Sequence, residues 1–288
     1  MPLADHVAQL LAVPVRDLQL IGSQHLCQHY RGVLADGREI FVKDNERWPS
    51  NSLRSEARGL RWIAEPGAVP APQVLGCDDR TLVLSWIPAA SPTTAAAERF
   101  GRDLAGLHSP QAKPGAFGAP WPGFIATLPL DNTQVTGPDA WPQWYATRRL
   151  LPFLRRAADA GHLGRTEISL VESVAGRIDE LAGPAEPPSR IHGDCWSGNV
   201  LWSGGQGWLI DPAAHGGHRE TDLAMLALFG APHLNRILAA YTETFPLAEG
   251  WRLRVPLHQL YPLLVHVCLF GACYASSLTT AARHAIRA

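Results

Sequence analysis

A chain of 288 residues with 25 basic side chains against 26 acidic ones is long enough to bury a sizeable core, and its formal charge of −1 leaves no basic surplus for a polyanion. Nucleic acid is therefore not expected as a partner. The start, Met1-Pro2-Leu3, has no basic stretch ahead of an apolar run, and Cys27, Cys77, Cys195, Cys268 and Cys273 form neither a close metal-binding set nor an even disulfide set. Reduced thiols, a cytoplasmic location and no membrane partner are the expectation.

In chain order, residues 4–12 have a helical pattern (Val7, Leu10, Leu11), and Leu18 to Ile21 read as a first strand. A polar turn, Gly22 to Tyr30, precedes Gly32-Val33-Leu34. Asp36-Gly37 then sits between two apolar runs as a hairpin signal, so three antiparallel strands come first, the third ending on Phe41-Val42-Lys43. A helix is predicted over 52–64 and carries Glu56. Thr81 to Ile87 is an apolar strand closed by Pro88, and Thr94 to His108 is helical (Ala97, Phe100, Leu104, Leu107). Pro- and Gly-rich loops fill 110–138. Helices follow over 140–160 and 169–181, and the last 55 residues are largely helical. The apolar stretch from Leu257 to Leu278 is broken by His258, Gln259, Pro262 and His266, which predicts a buried helix over a membrane span.

The chemistry concentrates between 190 and 212. His192, Asp194 and Asn199 precede a short strand (Val200-Leu201-Trp202), a Gly-rich turn and a second strand (Trp208-Leu209-Ile210) that ends on Asp211. A hairpin would hold the loop and Asp211 side by side. Phosphoryl transfer needs this set: one Asp to take the proton of the attacking hydroxyl, and an Asn and a second Asp to hold metal at the nucleotide phosphates. Asp194, Asn199 and Asp211 fit the three roles. Lys43, steadied by Glu56, would give the phosphates a fixed positive charge, Gly22 and Ser23 would close over them through backbone amides, and Ser85, Trp86 and Ile87 would meet the adenine edge.

On these residues the chain resembles the fructosamine kinase family, ketosamine kinases that share the aminoglycoside phosphotransferase and protein-kinase-like fold. The carriers are His192-Gly193-Asp194-Cys195-Trp196-Ser197-Gly198-Asn199, then Ile210-Asp211-Pro212, and Gly217-His218-Arg219-Glu220-Thr221-Asp222-Leu223-Ala224-Met225. The resemblance spans nearly the whole chain. It implies an α+β bilobal fold, with a small antiparallel-sheet lobe (1–87) for the nucleotide and a mainly helical lobe (88–288) for catalysis and the acceptor. It also implies ATP and Mg2+ as cofactors, Asp194 as base, Asn199 and Asp211 as metal ligands, and Trp196 beside the acceptor with its neighbours Ser197 and His192.

Three positions depart from the family pattern. The first turn has few glycines, with Cys27 where the family has Asn, so alkylation of Cys27 is expected to slow turnover unless the thiol is an inert small side chain. Cys195 replaces a Leu, and Pro262 with Val265 stand where His and Asn are usual.

The expected acceptor is a fructosyl- or ribulosyl-amine, free or on a protein. Competing readings are an aminoglycoside or amino-alcohol kinase and a non-catalytic nucleotide-binding protein. From Leu223 onward the acids are Glu243 and Glu249, against Arg236, Arg252, Arg254, Arg283 and Arg287, a balance expected to repel a polycationic aminoglycoside. Glu220 and Asp222 are candidates either for the single amine of a ketosamine or for purely structural pairing with Arg219.

Overall fold

The computed structural model describes residues 1–24, 27–45, 49–112 and 114–287. Helix α1 (Leu3–Leu11) leads into β1 (Val15–Gln24), β2 (Cys27–Leu34), β3 (Glu39–Asp44), α2 (Ser52–Ala64), β4 (Val74–Cys77) and β5 (Thr81–Ser85). The five strands form one antiparallel sheet in the order β1-β2-β3-β5-β4. Side-chain alternation sends Leu34, Ile40, Val42 and Val83 to one face, where they pack with Val7 of α1. Leu82 and Leu84 go to the other face, against Leu53, Ala57 and Leu60 of α2. The expected polar loop between the first two strands is instead a tight hairpin, paired as far as Gln24↔Cys27. His25 and Leu26, at its tip, lie outside the described residues.

The rest of the chain is mainly helical. Helix α3 (Thr94–His108) starts on Thr93, whose hydroxyl accepts the Ala96 N–H at 3.1 Å. The segment read as loop holds a small hairpin, β6 (Gly123–Ile125) with β7 (Leu128–Leu130). The helix predicted over 140–160 is α4 (Trp141–Tyr145) and α5 (Leu151–Asp159), joined by a π-helical stretch, Ala146–Leu150. The next starts at Arg165 rather than 169 and breaks at Arg177, giving α6 (Arg165–Gly176) and α7 (Ile178–Leu181). Then come β8 (Ser189–Ile191), β9 (Val200–Ser203), β10 (Gln206–Leu209), β11 (His215–Gly217), α8 (Glu220–Leu228), α9 (Leu234–Thr244), α10 (Trp251–Phe270) and α11 (Ala275–Arg287).

Helix α10 is long and apolar enough to cross a membrane by length and composition, but Leu257, Leu260, Tyr261, Leu263 and Leu264 are buried in the main helical core with Trp144, Phe153, Val171 and Leu278. A second core joins α3, α8 and α9 to the β9–β10 hairpin through Phe100, Leu104, Trp202, Leu223 and Tyr241. The result is a sheet lobe and a helical lobe, α+β, in the protein-kinase-like arrangement. Five free cysteines are distributed among them.

Candidate active site

Strands β8 and β11 pair in register Ile191↔His215, so residues 192–214 leave and rejoin one short ladder as a closed excursion. The excursion is fixed from below by Asp222 on α8. Its carboxylate accepts the N–H of His192 at 2.7 Å and of Gly193 at 3.0 Å, and lies 3.2 Å from Nε2 of His108. Gly193 sits at φ 79°, and a Cβ there would come within 2.4 Å of the Ala213 carbonyl oxygen, so this turn requires glycine. His192 is wholly buried. Its Nε2–H donates to the Ile210 carbonyl at 2.8 Å and its Nδ1 accepts the Asp194 N–H at 3.2 Å, which is the neutral imidazole pattern; burial holds its pKa down.

Those bonds aim Asp194 into a cleft of about 400 Å³. Asn199 Nδ2 donates to both the Asp194 carbonyl oxygen and its Oδ2, each at 2.9 Å. Burial pushes the Asp194 carboxyl up to about 7; the Asn199 hydrogen bond opposes the rise, and the nearby Asp211 and Asp222 carboxylates add to it. A base poised in that range takes a hydroxyl proton readily at neutral pH. The Asn199 carbonyl oxygen accepts the Ile210 N–H at 3.1 Å, so the β9–β10 hairpin brings Asp211 back beside Asn199.

Lys43 reaches this point from the sheet lobe. Its ammonium lies 2.8 Å from Glu56 Oε1 on α2 and 2.7 Å from Asp211 Oδ1. Burial alone would lower its pKa; the carboxylates of Asp211 and Glu56 outweigh that and raise it, so the side chain stays charged. Helix α2 comes close enough for this pairing because of Gly59: a Cβ there would meet the Ala214 Cβ and the Pro212 ring at 3.2 Å.

The cleft also brings in Trp196 and Ser197, both half-buried, as expected for acceptor contacts. His192, expected there as well, braces the loop from beneath and does not reach the wall. Gly22 and Ser23 lie in strand β1, exposed and away from the wall. Ser85, Trp86 and Ile87 are also off it. Ser85 exchanges bonds with the Gln73 backbone, the Trp86 N–H donates to the Glu39 carbonyl at 3.1 Å, and the Trp86 ring lies under the Arg31 guanidinium. The Ser85 and Trp86 amides are thus committed to the sheet lobe.

Cys27 is fully buried and its thiol is pushed up to about 12, chiefly by burial; this is the inert alternative, not a reactive loop cysteine. Glu220 and Asp222 are not partners of Arg219. Glu220 is bidentate to Arg254, with oxygens at 2.9 and 2.6 Å, whereas Arg219 pairs with Glu186. Arg254 is therefore neutralised and buried, and repels nothing in the cleft.

Sequence reading missed the aromatic side of the cleft. Phe229, His266, Phe270 and Tyr274 form a contiguous set, with His266 ring centroids 4.9 Å from both Phe229 and Tyr274, and Trp196 edge-on to Phe229. Val265 lies on the same wall, so the position that departs from the family pattern still faces the cleft, with an apolar side chain. Phe124, Ile125 and Ala126 of the β6–β7 hairpin also line the cleft. The alternation in Gly123-Phe124-Ile125 and Leu128-Pro129-Leu130 was the available signal for that hairpin.

Asn199 and Asp211 offer oxygen donors beside one another on the cleft wall, the hard-ligand chemistry suited to a divalent cation such as Mg2+. The fructosamine kinase family model matches residues 12–287. A Thermus thermophilus protein named "Probable ketoamine kinase TTHA1179" is 33% identical over 83% of this chain and 84% of its own. An Arabidopsis thaliana relative, "Protein-ribulosamine 3-kinase, chloroplastic", is 29% identical over 89% and 78%. A solved Thermobifida fusca structure, provisionally named a fructosamine-3-kinase, superposes with TM-score 0.94 at 52% identity over 99% of this chain and 98% of the other. A macrolide 2'-phosphotransferase shares the fold at TM-score 0.66 and 15% identity, covering 96% of this chain and 95% of its own. With its catalytic loop built as described and its sequence matched almost from end to end, the chain belongs to the fructosamine kinase family, ATP-dependent phosphotransferases that act on an alcohol group.

Proposed function

We propose that the protein transfers the terminal phosphoryl group of ATP to the 3-hydroxyl of a ketosamine, a fructosyl- or ribulosyl-amine that is free or protein-bound. The observation that carries the reading is Asp194, held by Asn199 and lining one cleft with Asp211 and with Lys43, which pairs with Asp211. In this reading the small lobe (1–87) holds the nucleotide and the remainder (88–288) the acceptor. Asp194 takes the proton of the acceptor hydroxyl as its oxygen bonds to the terminal phosphorus. The bond from that phosphorus to the bridging oxygen breaks, and ADP leaves. Lys43 stabilises the phosphate charge, and Glu56 keeps its ammonium in place. Asn199 and Asp211 would hold Mg2+, which supplies charge neutralisation at the phosphates.

Acceptor choice follows from the wall. Among the described residues the acids lining the cleft are Glu56, Asp194 and Asp211, all assigned to the nucleotide or the transfer step, and Phe229, His266, Phe270 and Tyr274 add an aromatic surface. Aromatic faces suit the apolar face of one sugar and a single amine. An aminoglycoside, with several ammonium groups, would find no carboxylates to spare. The test is kcat/KM for a fructosyl- or ribulosyl-amine and for kanamycin in one assay at low salt, where charge effects are least screened. Transfer to the ketosamine with negligible transfer to kanamycin is expected. Equal or better use of kanamycin refutes the acceptor assignment and leaves the kinase assignment standing.

A further inference from the structure

The described part of the β1–β2 hairpin is a paired ladder, with β1 at the edge of the sheet. Its ladder pairs Gly22↔His29, Ser23↔Gln28 and Gln24↔Cys27, and β2 pairs on its other side with β3 through Gln28↔Asp44 and His29↔Lys43. A second element also brings donors to the cleft.

The first turn of α2 has them. Asn51 precedes it in a left-handed conformation and makes no side-chain cap. The Ser52 and Ser55 amides donate to the Pro49 and Asn51 carbonyls, while those of Leu53 and Arg54 have no acceptor among the described residues. An independent feature lies beside them. Ser52 is only 4% exposed, its Oγ has no hydrogen-bond partner among the described residues, and it lines the cleft together with Ser55. A buried hydroxyl without a partner is costly to the fold and points to a group that is absent. Ser52 is four residues before Glu56, on the same helix face, so it stands one turn from the Lys43–Glu56 pair. The Ser52 and Ser55 hydroxyls, at a helix N-terminus, and the Lys43 ammonium thus line one cleft, a setting suited to an anion.

We propose that Ser52 Oγ and the Ser55 hydroxyl, both at the first turn of α2, form a subsite for the terminal phosphoryl group of the nucleotide. The inference rests on the ATP-dependent reading above. It makes Ser52 a positioning residue whose hydroxyl donates to a non-bridging phosphoryl oxygen. Because ADP lacks that group, the subsite distinguishes substrate nucleotide from product nucleotide.

Calorimetry on the full chain with Mg-ATP and with Mg-ADP tests this, using wild type, Ser52→Ala and Ser52→Ala/Ser55→Ala, with thermal unfolding of each free protein alongside. Ser52→Ala should raise the Kd for ATP roughly tenfold, about 1.4 kcal/mol, through loss of one charge-assisted hydrogen bond, and change the Kd for ADP less than about twofold. The double variant should lose more ATP affinity. The free Ser52→Ala protein should melt no lower than wild type, because an unsatisfied hydroxyl has been removed. Equal losses for both nucleotides, no loss for either, or a marked fall in Tm of the free variant overturns the subsite and leaves the kinase reading intact. Failure of wild type to bind either nucleotide overturns both. Weaker inhibition by the phosphorylated sugar with ATP affinity unchanged also overturns it, since the phosphoryl group served would then be the product's.

Discussion

Replacing Asp222 by Asn changes one atom in a carboxylate that touches neither nucleotide nor acceptor, and it should both unsettle the fold and slow the enzyme. The carboxylate accepts two loop amides, from His192 and Gly193, one on each oxygen. An Asn offers one oxygen and sets an NH2 against the other N–H. One charge-assisted bond is lost, and a buried amide then faces a donor, a combined cost of about 3 kcal/mol. With about 2.1 cal/mol/K of unfolding entropy per residue over 288 residues, that lowers Tm by about 5 °C. Turnover should fall as well, because Asp194 is aimed by the turn these bonds hold.

The cost also depends on pH. Burial alone would raise the pKa of Asp222, and the His108 ring and the His192 amide more than reverse it, so the carboxyl is held below its ordinary value. A depressed carboxyl contributes stability that is fully present above its unfolded pKa of about 3.9 and is lost as pH falls through the lower folded value. The Tm gap between wild type and Asp222→Asn should therefore be constant above about pH 5 and narrow below about pH 4. Thermal scans from pH 3 to 8 measure it. A gap under 1 °C at pH 7, or one that persists undiminished at pH 3, refutes the reasoning.

Asp194→Asn should lower kcat by roughly 100-fold or more and leave nucleotide affinity within a few-fold, because the base serves the acceptor hydroxyl; a variant keeping a tenth of wild-type kcat removes Asp194 from the step. Asp211→Asn should weaken Mg-ATP binding in calorimetry, and unchanged affinity refutes its metal role. Iodoacetamide should label the exposed Cys273 and spare Cys27 in the folded chain; mass spectrometry that finds Cys27 modified, with activity lost, would show that the hairpin opens.

What was legible in the sequence was what local pattern decides. Residues 52–64 and 94–108 show clean helical periodicity with nothing to interrupt them, and both helices have those limits in the structure. Asp194, Asn199 and Asp211 lie within one hairpin-bearing excursion, so spacing alone brought them together. Lys43 and Glu56 could be paired in advance because a strand and the following helix have few ways to pack.

The rest depends on contacts that spacing does not encode. Asp222 caps a loop some thirty residues earlier with help from His108 on α3, and Glu220 chose Arg254 over its neighbour Arg219 because α10 carries that guanidinium into the core. The first turn was read as an open loop because its polar residues look alike in a hairpin and in a loop. His266, Phe270 and Tyr274 recur at four-residue spacing around the end of α10, a pattern that core helices share, and only the fold brings Phe229 from the end of α8 to join them.

Asp211 stands at φ 54°, in the left-handed region that side chains with a Cβ adopt at a cost of about 1–2 kcal/mol and that Gly, Asn and Asp tolerate best. Backbone shape and chemistry therefore select for overlapping residues at this position. A descendant that abandoned phosphoryl transfer would still be held to a narrow choice at 211 by conformation alone. Asp194 has no such restraint on φ, so under the proposed mechanism its chemistry alone calls for a carboxylate there. In a lineage drifting toward a purely binding role, the acid at 194 should be lost first, and a chain that keeps 211 while losing 194 should be read as a former enzyme.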